Sequence, residues 1–230
     1  MKADGDIAEL EPFTVRHALD LGILCEALPQ QRNGLFCGDV SANDAAGVVG
    51  PEPTRVGGKP IAEVVYGDEM YRAGECRSET KLPVGYPRPT APGAMELKAY
   101  PMVRRAEVRM DGDVASSRSR SRAFFPLFQH ISSRDIAMTA PVEMEFEPGE
   151  DGRMGFDSMS FLYERFEDGP AGDGDGMVKV IDAEPVTVVS LGVKGVRNAA
   201  SIREAVQQLE AWAMTSDDWA STGDYRWLSY

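Results

Sequence analysis

The clearest pattern along the chain is a strict two-residue alternation. Val142, Met144 and Phe146 alternate with Glu143, Glu145 and Glu147, the period of a strand with one apolar face. Ala106, Val108 and Met110 alternate with Arg105, Glu107 and Arg109, and Met159, Phe161 and Tyr163 repeat the period. Between the first two of these predicted strands the period changes. Phe124, Leu127, Phe128 and Ile131 fall at i, i+3, i+4 and i+7, one stripe of a helix. Pro126 lacks an N–H, so this helix is expected either to start close to Arg122 or to be kinked. After a turn at Gly172–Gly176, short strands are predicted around 178–181 and 186–191. A second helix is expected to follow, opened by a Ser201/Glu204 capping box and striped by Ile202, Ala205, Val206, Leu209 and Trp212. A final strand closes the pattern.

The N-terminal third reads differently. Phe13, Leu19, Ile23, Leu24 and Leu28 predict a helix over 13–28, ended by Pro29; residues 33–60 read as loop and Ile61–Tyr66 as a strand. Four prolines and two glycines crowd Leu82–Gly93, which divides the chain into an N-terminal extension (1–82), a Pro/Gly-rich connector (83–93) and a main domain (94–230). Half-buried strands need a covering layer, so the main domain is expected to be α+β, a curved antiparallel sheet flanked by two helices. The element order suggests two similar halves.

Charge narrows the partners. With 24 basic and 37 acidic side chains the chain carries −13, which repels phosphate backbones and anionic headgroups, so nucleic acid is not an expected partner. No apolar run approaches the roughly 20 residues that span a bilayer, and Met1–Asp6 does not have the layout of a secretory signal. Cys25, Cys37 and Cys76 form no Cys-x-x-Cys pair, so reduced thiols in a reducing intracellular compartment, cytoplasm or an organelle such as a plastid, are expected. No nucleophile elbow, paired-histidine metal motif or P-loop is present, and a non-catalytic protein is expected. Ser116–Arg122 alternates serine and arginine over most of its length. It reads as a solvated lead-in to the first helix, as a phosphorylation site or as a contact for an acidic partner.

The order of an aromatic helix (Phe124–Ile131), a turn, the hexapeptide Ile136-Ala137-Met138-Thr139-Ala140-Pro141 and an alternating strand resembles the signature of the SOUL haem-binding family. Met95–Pro101, Ser158–Leu162 and Gly223–Tyr230 are similar to further family segments, so the resemblance spans about 94–230. It implies a distorted antiparallel β-barrel of two related halves, each with one helix. It also implies binding of haem or a related tetrapyrrole in an apolar groove, as carrier, buffer or sensor. In one branch of the family that groove centres on the first helix. The matching residues here would be Phe124, Leu127 and Phe128 as the wall and Arg120 and Arg122 as propionate partners. His130 flanks the stripe, as an iron ligand or as a helix-end polar residue; Met138 and Met144 are further soft donors. In another branch a histidine of the first strand has been proposed as the iron ligand, and the matching position here is Ala99, which cannot ligate. The family also continues past the position of Tyr230 with a further strand, so a truncated chain or one without that strand is expected. These departures favour an alternative, an interaction or assembly subunit that keeps the fold without haem and docks a protein partner through its N-terminal extension.

Overall fold

The computed structural model describes residues 18–27, 52–67, 70–78, 80–113, 117–148, 154–194 and 198–230. His17, Cys37, and the expectations for residues 13–17 and 33–51, lie outside these.

One antiparallel sheet of ten strands organises the molecule. Its strands are β1 (Ala18–Ala27), β2 (Thr54–Gly58), β6 (Ala94–Tyr100), β7 (Val103–Asp113), β8 (Val142–Pro148), β9 (Met154–Leu162), β10 (Gly172–Asp173), β11 (Lys179–Ala183), β12 (Val186–Lys194) and β13 (Trp219–Ser229). Strands β3 (Val65–Gly67), β4 (Met70–Ala73) and β5 (Cys76–Ser78) form a separate three-stranded sheet. Helices α1 (Ser117–Ser133) and α2 (Ala199–Thr215) complete the fold. The large sheet runs β10-β11-β7-β9-β8-β13-β1-β12-β6-β2. No pairing joins its two ends among the described residues, so the described architecture is an open α+β sheet rather than a closed barrel.

Four expectations are corrected. The segment predicted as a helix over 13–28 is strand β1 over its described part, 18–27. Its apolar residues pair on both sides, Leu21 opposite Leu191 and Trp227, Ile23 opposite Val189 and Tyr225. Tertiary pairing on two edges outweighs a helical spacing that rested on few positions. The predicted loop over 33–60 contains β2, and α2 is capped by Asn198, whose side chain accepts from the Ala200 and Ser201 amides, not by Ser201 with Glu204. Helix α1 begins at Ser117, well before Arg122, and runs through Pro126.

The strand order explains the two halves. In the first, β9 returns between β7 and β8 and α1 packs on β7 and β9. In the second, β1 lies between β12 and β13, antiparallel to both, and α2 packs on all three. The middle strand of the second half thus comes from the N-terminal end of the chain.

The sheet has two buried faces. Ala106, Val108, Met144, Phe146, Met159, Phe161, Val189 and Trp227 lie in one core with Leu127 and Ile131 of α1 and Ile202 and Leu209 of α2. The other face carries the polar half of the alternation, and the proline-rich segment covers it. Tyr86, Thr90 and Ala91 of that segment are almost wholly buried, and a Cβ at Gly192 would overlap the Ala91 carbonyl. Prolines have no N–H to satisfy, which eases the burial of an irregular segment. Its remaining polar groups are used: Tyr86 Oη donates to Glu143 at 3.3 Å, and Thr90 and Ser190 share a hydroxyl hydrogen bond of 2.9 Å.

Candidate functional site

Helix α1 presents an aromatic surface. Phe125 is 67% and Phe128 47% exposed, while Leu127 is fully buried in the core. Phe124, half-buried, joins the two levels. It stacks on Phe128 with ring centroids 6.1 Å apart and an 11° interplanar angle, and meets Phe161 of β9 edge-on at 5.1 Å. Phe125 stands edge-on to Phe124 at 6.3 Å. At 100° per residue, Ser121, Phe125, Phe128 and Ser132 fall within about 60° of one another on the exposed side. Arg122 is exposed one turn before Phe125, and Arg120 is half-buried; burial lowers the pKa of Arg120 from its ordinary value. The result is a cationic N-terminal end running into an exposed aromatic patch.

His130 is 1% exposed. Its Nε2 lies 3.0 Å from Tyr163 Oη and its Nδ1 3.6 Å from Asp175 Oδ2. Asp175 in turn accepts from Arg134, whose Nη2 is 3.1 Å away. Burial, with the nearby Arg134 charge, lowers the His130 pKa against the opposing pull of Asp175. The ring ties α1 to the Gly172–Val178 loop and faces away from the aromatic patch.

The unfolded chain therefore binds a proton at His130 more readily than the folded one. Stability linked to this residue is complete well above pH 6.5 and falls as pH drops through about 6.5 toward the lower folded value. Urea midpoints measured from pH 8 to 5 should show this loss in the parent, and it should be absent in His130→Gln.

The polar face of the sheet holds a second constellation. Arg105 donates from Nη1 to Glu143 (2.9 Å) and Glu145 (2.8 Å) and from Nη2 to Glu107 (2.7 Å). Arg226 lies 3.6 Å from Glu143 and stacks over the Tyr100 ring at 3.8 Å. Burial pushes the Glu145 carboxyl up, but the Arg105 charge and hydrogen bond, with one from Ser158, outweigh it and hold the group below its ordinary range. Burial, and then the Glu143 charge, push the Tyr86 phenol well up. With each carboxylate of the cluster paired and the segment 83–92 lying over it, this network joins layers, and its Glu145 end is partly exposed.

The signature hexapeptide is structural as well. Thr139 Oγ1 donates to the Leu162 carbonyl at 2.6 Å, Ala140 N–H to the Lys81 carbonyl at 2.9 Å, and Ile136 is buried. A cleft of about 220 Å³ bounded by Glu145, Glu147, Asp157 and Asp224 is too acidic to receive a dicarboxylate ligand. Among the described residues, no group of three or more His, Cys, Asp or Glu side chains is placed to hold a metal ion, and no helix is long and apolar enough to cross a membrane.

A family model described as SOUL heme-binding protein matches residues 86–230, more than half of the chain. The chain belongs to the SOUL haem-binding family. No curated protein matches it. The SOUL match begins at Tyr86, inside the proline-rich segment, in keeping with the burial of that segment in the sheet. Of the residues expected to line a groove, Phe128 and Arg122 are exposed and Phe124 is half-buried, whereas Arg120 is half-buried on the side of Leu127, Leu127 is core and His130 is engaged with Tyr163 and Asp175. Phe125 is the addition the structure makes. Its signal was present in the sequence as a large apolar residue displaced by 100° from Phe124, on the polar side of the stripe.

The patch is an exposed apolar surface with Arg122 exposed and Arg120 half-buried toward its N-terminal end. It offers no free imidazole, since a ligating His130 would have to give up Tyr163.

Proposed function

We propose that this protein binds haem or a related tetrapyrrole against the exposed face of α1, as a carrier, buffer or sensor and without catalysing a reaction. The observation that carries this reading is the pair Phe125 and Phe128, large apolar side chains exposed side by side on a rigid helix and anchored through Phe124. Exposed apolar patches are a common place for a ligand or partner to bind. Contact with a macrocycle removes apolar area from water at roughly 25 cal/mol per Å², and Arg122 with Arg120 supplies charge-assisted hydrogen bonds to the carboxylates. The patch residues Phe124, Phe125, Phe128, Arg120 and Arg122 would hold the ring by apolar contact and charge and would supply no donor to an iron.

Hemin titration of the full chain, followed at the Soret band, tests the reading. Saturable one-to-one binding is expected. Phe125→Asp and Phe128→Asp should each weaken it by about 10- to 100-fold, the equivalent of losing one buried aromatic contact. Both positions are exposed, so the variants should keep the parent's thermal midpoint within a few degrees. Binding indifferent to both substitutions, or none at all, would turn the patch into a docking surface for a protein partner.

A further inference from the structure

We infer that Ser121 is a phosphoacceptor that switches off anionic-ligand binding at the aromatic face of α1, an inference that rests on the tetrapyrrole reading above. Three observations converge on this hydroxyl. First, Ser121 is exposed, and it lies at i−4 from Phe125 and i−7 from Phe128, so it continues the aromatic stripe by one turn. Neighbouring Ser119 is half-buried and already engaged. Secondly, Ser117–Arg122 carries three arginines and no acidic residue in a chain of charge −13. That local reversal of charge suits the acidic substrate groove of a kinase directed to basic sequences. Thirdly, α1 has no acidic residue in its first turn, and a phosphate near that end would meet the positive end of the helix dipole, where negative charge is favoured.

The step transfers a phosphoryl group from ATP. Ser121 Oγ forms the bond to the γ-phosphorus, the bridge to the β-phosphate breaks, ADP leaves, and the hydroxyl proton passes to the kinase's base. The product carries about −2 and three acceptor oxygens. Standing on the same face one turn before Phe125, it sets like charge beside the place where the propionates would lie. A ligand with two carboxylates therefore meets repulsion, and at least about tenfold weaker binding is expected.

Two forms of the full chain test this. One is treated with ATP and a basic-directed serine kinase and its sites are mapped by mass spectrometry. The other carries phosphoserine installed at 121 during synthesis. Hemin is titrated against both, against the phosphatase-treated forms, and against Ser121→Ala and Phe128→Asp. The inference predicts modification at Ser121, at least tenfold weaker hemin binding in both phosphorylated forms, recovery after phosphatase, and no response of Ser121→Ala to the kinase. Phosphate placed only elsewhere, or phosphoserine 121 binding hemin as the parent does, overturns it. If the unmodified parent shows no Phe128-dependent hemin binding, the tetrapyrrole reading itself fails and this inference falls with it.

Discussion

Replacing Arg105 with alanine is expected to cost about 3–5 kcal/mol of folding stability at neutral pH, the range for removing one partner from a buried ionic cluster. Three carboxylates depend on this guanidinium. Glu107 and Glu143 are buried, Glu145 partly so, and all three lie within 2.9 Å of its nitrogens. After the substitution Glu143 keeps Arg226 at 3.6 Å and the Tyr86 hydroxyl, and Glu107 keeps only the exposed Arg109. The cost comes from leaving charge desolvated, not from losing an especially strong attraction. The double variant Arg105→Met/Glu143→Leu should therefore lose clearly less than the two single changes added together. The pH dependence has a definite sign. Arg105 holds the Glu145 carboxyl below its ordinary value of 4.5, so the parent loses this contribution as pH falls through and below that value. Stranded carboxylates in Arg105→Ala gain stability by taking up protons over the same fall. The gap between the two proteins in urea unfolding should narrow from pH 7 to pH 4. A constant gap would mean that the cluster contributes packing rather than charge.

Leu21→Pro is expected to be comparably severe, above about 3 kcal/mol, because it removes an N–H and imposes a fixed φ in the middle of a strand paired on both sides. Leu21 lies opposite Leu191 of β12 and Trp227 of β13. The pattern of the damage is more informative than its size. Amide hydrogen exchange should rise in β12 and β13, while β8 and β9, which hold each other from Val142 to Pro148 and from Met154 to Phe161, should be affected less. Full protection of Val189 and Trp227 in the variant would show that β1 does not join these strands. The same strand places residues 18–27 inside the sheet of the family domain, although the family match starts at Tyr86. A chain shortened to the matched region would leave the facing edges of β12 and β13 without the partner between them.

Much of this molecule was legible along the chain because its strongest signals are local. A two-residue period needs only a strand with one apolar face, so β7, β8 and β9 could be read from Ala106–Met110, Val142–Phe146 and Met159–Tyr163. The stripe Phe124, Leu127, Phe128, Ile131 gave α1, and Ile202 to Trp212 gave α2, for the same reason. The family signature, too, is a local order of elements. What the chain by itself could not determine is where the other face of each element goes. Glu143, Arg105 and Arg226 look like solvent positions in a half-buried strand; they are buried because a proline-rich segment that reads as a connector folds across them. Leu127 and Phe128 are adjacent members of one stripe, and only packing against the sheet makes the first core and leaves the second exposed. Residues 18–27 show a weak helical spacing, and only two edges supplied by strands more than 150 residues away make them a strand. Periodicity is a property of neighbouring residues, whereas burial and pairing depend on segments brought together from distant parts of the chain, and that assembly is decided by the tertiary structure.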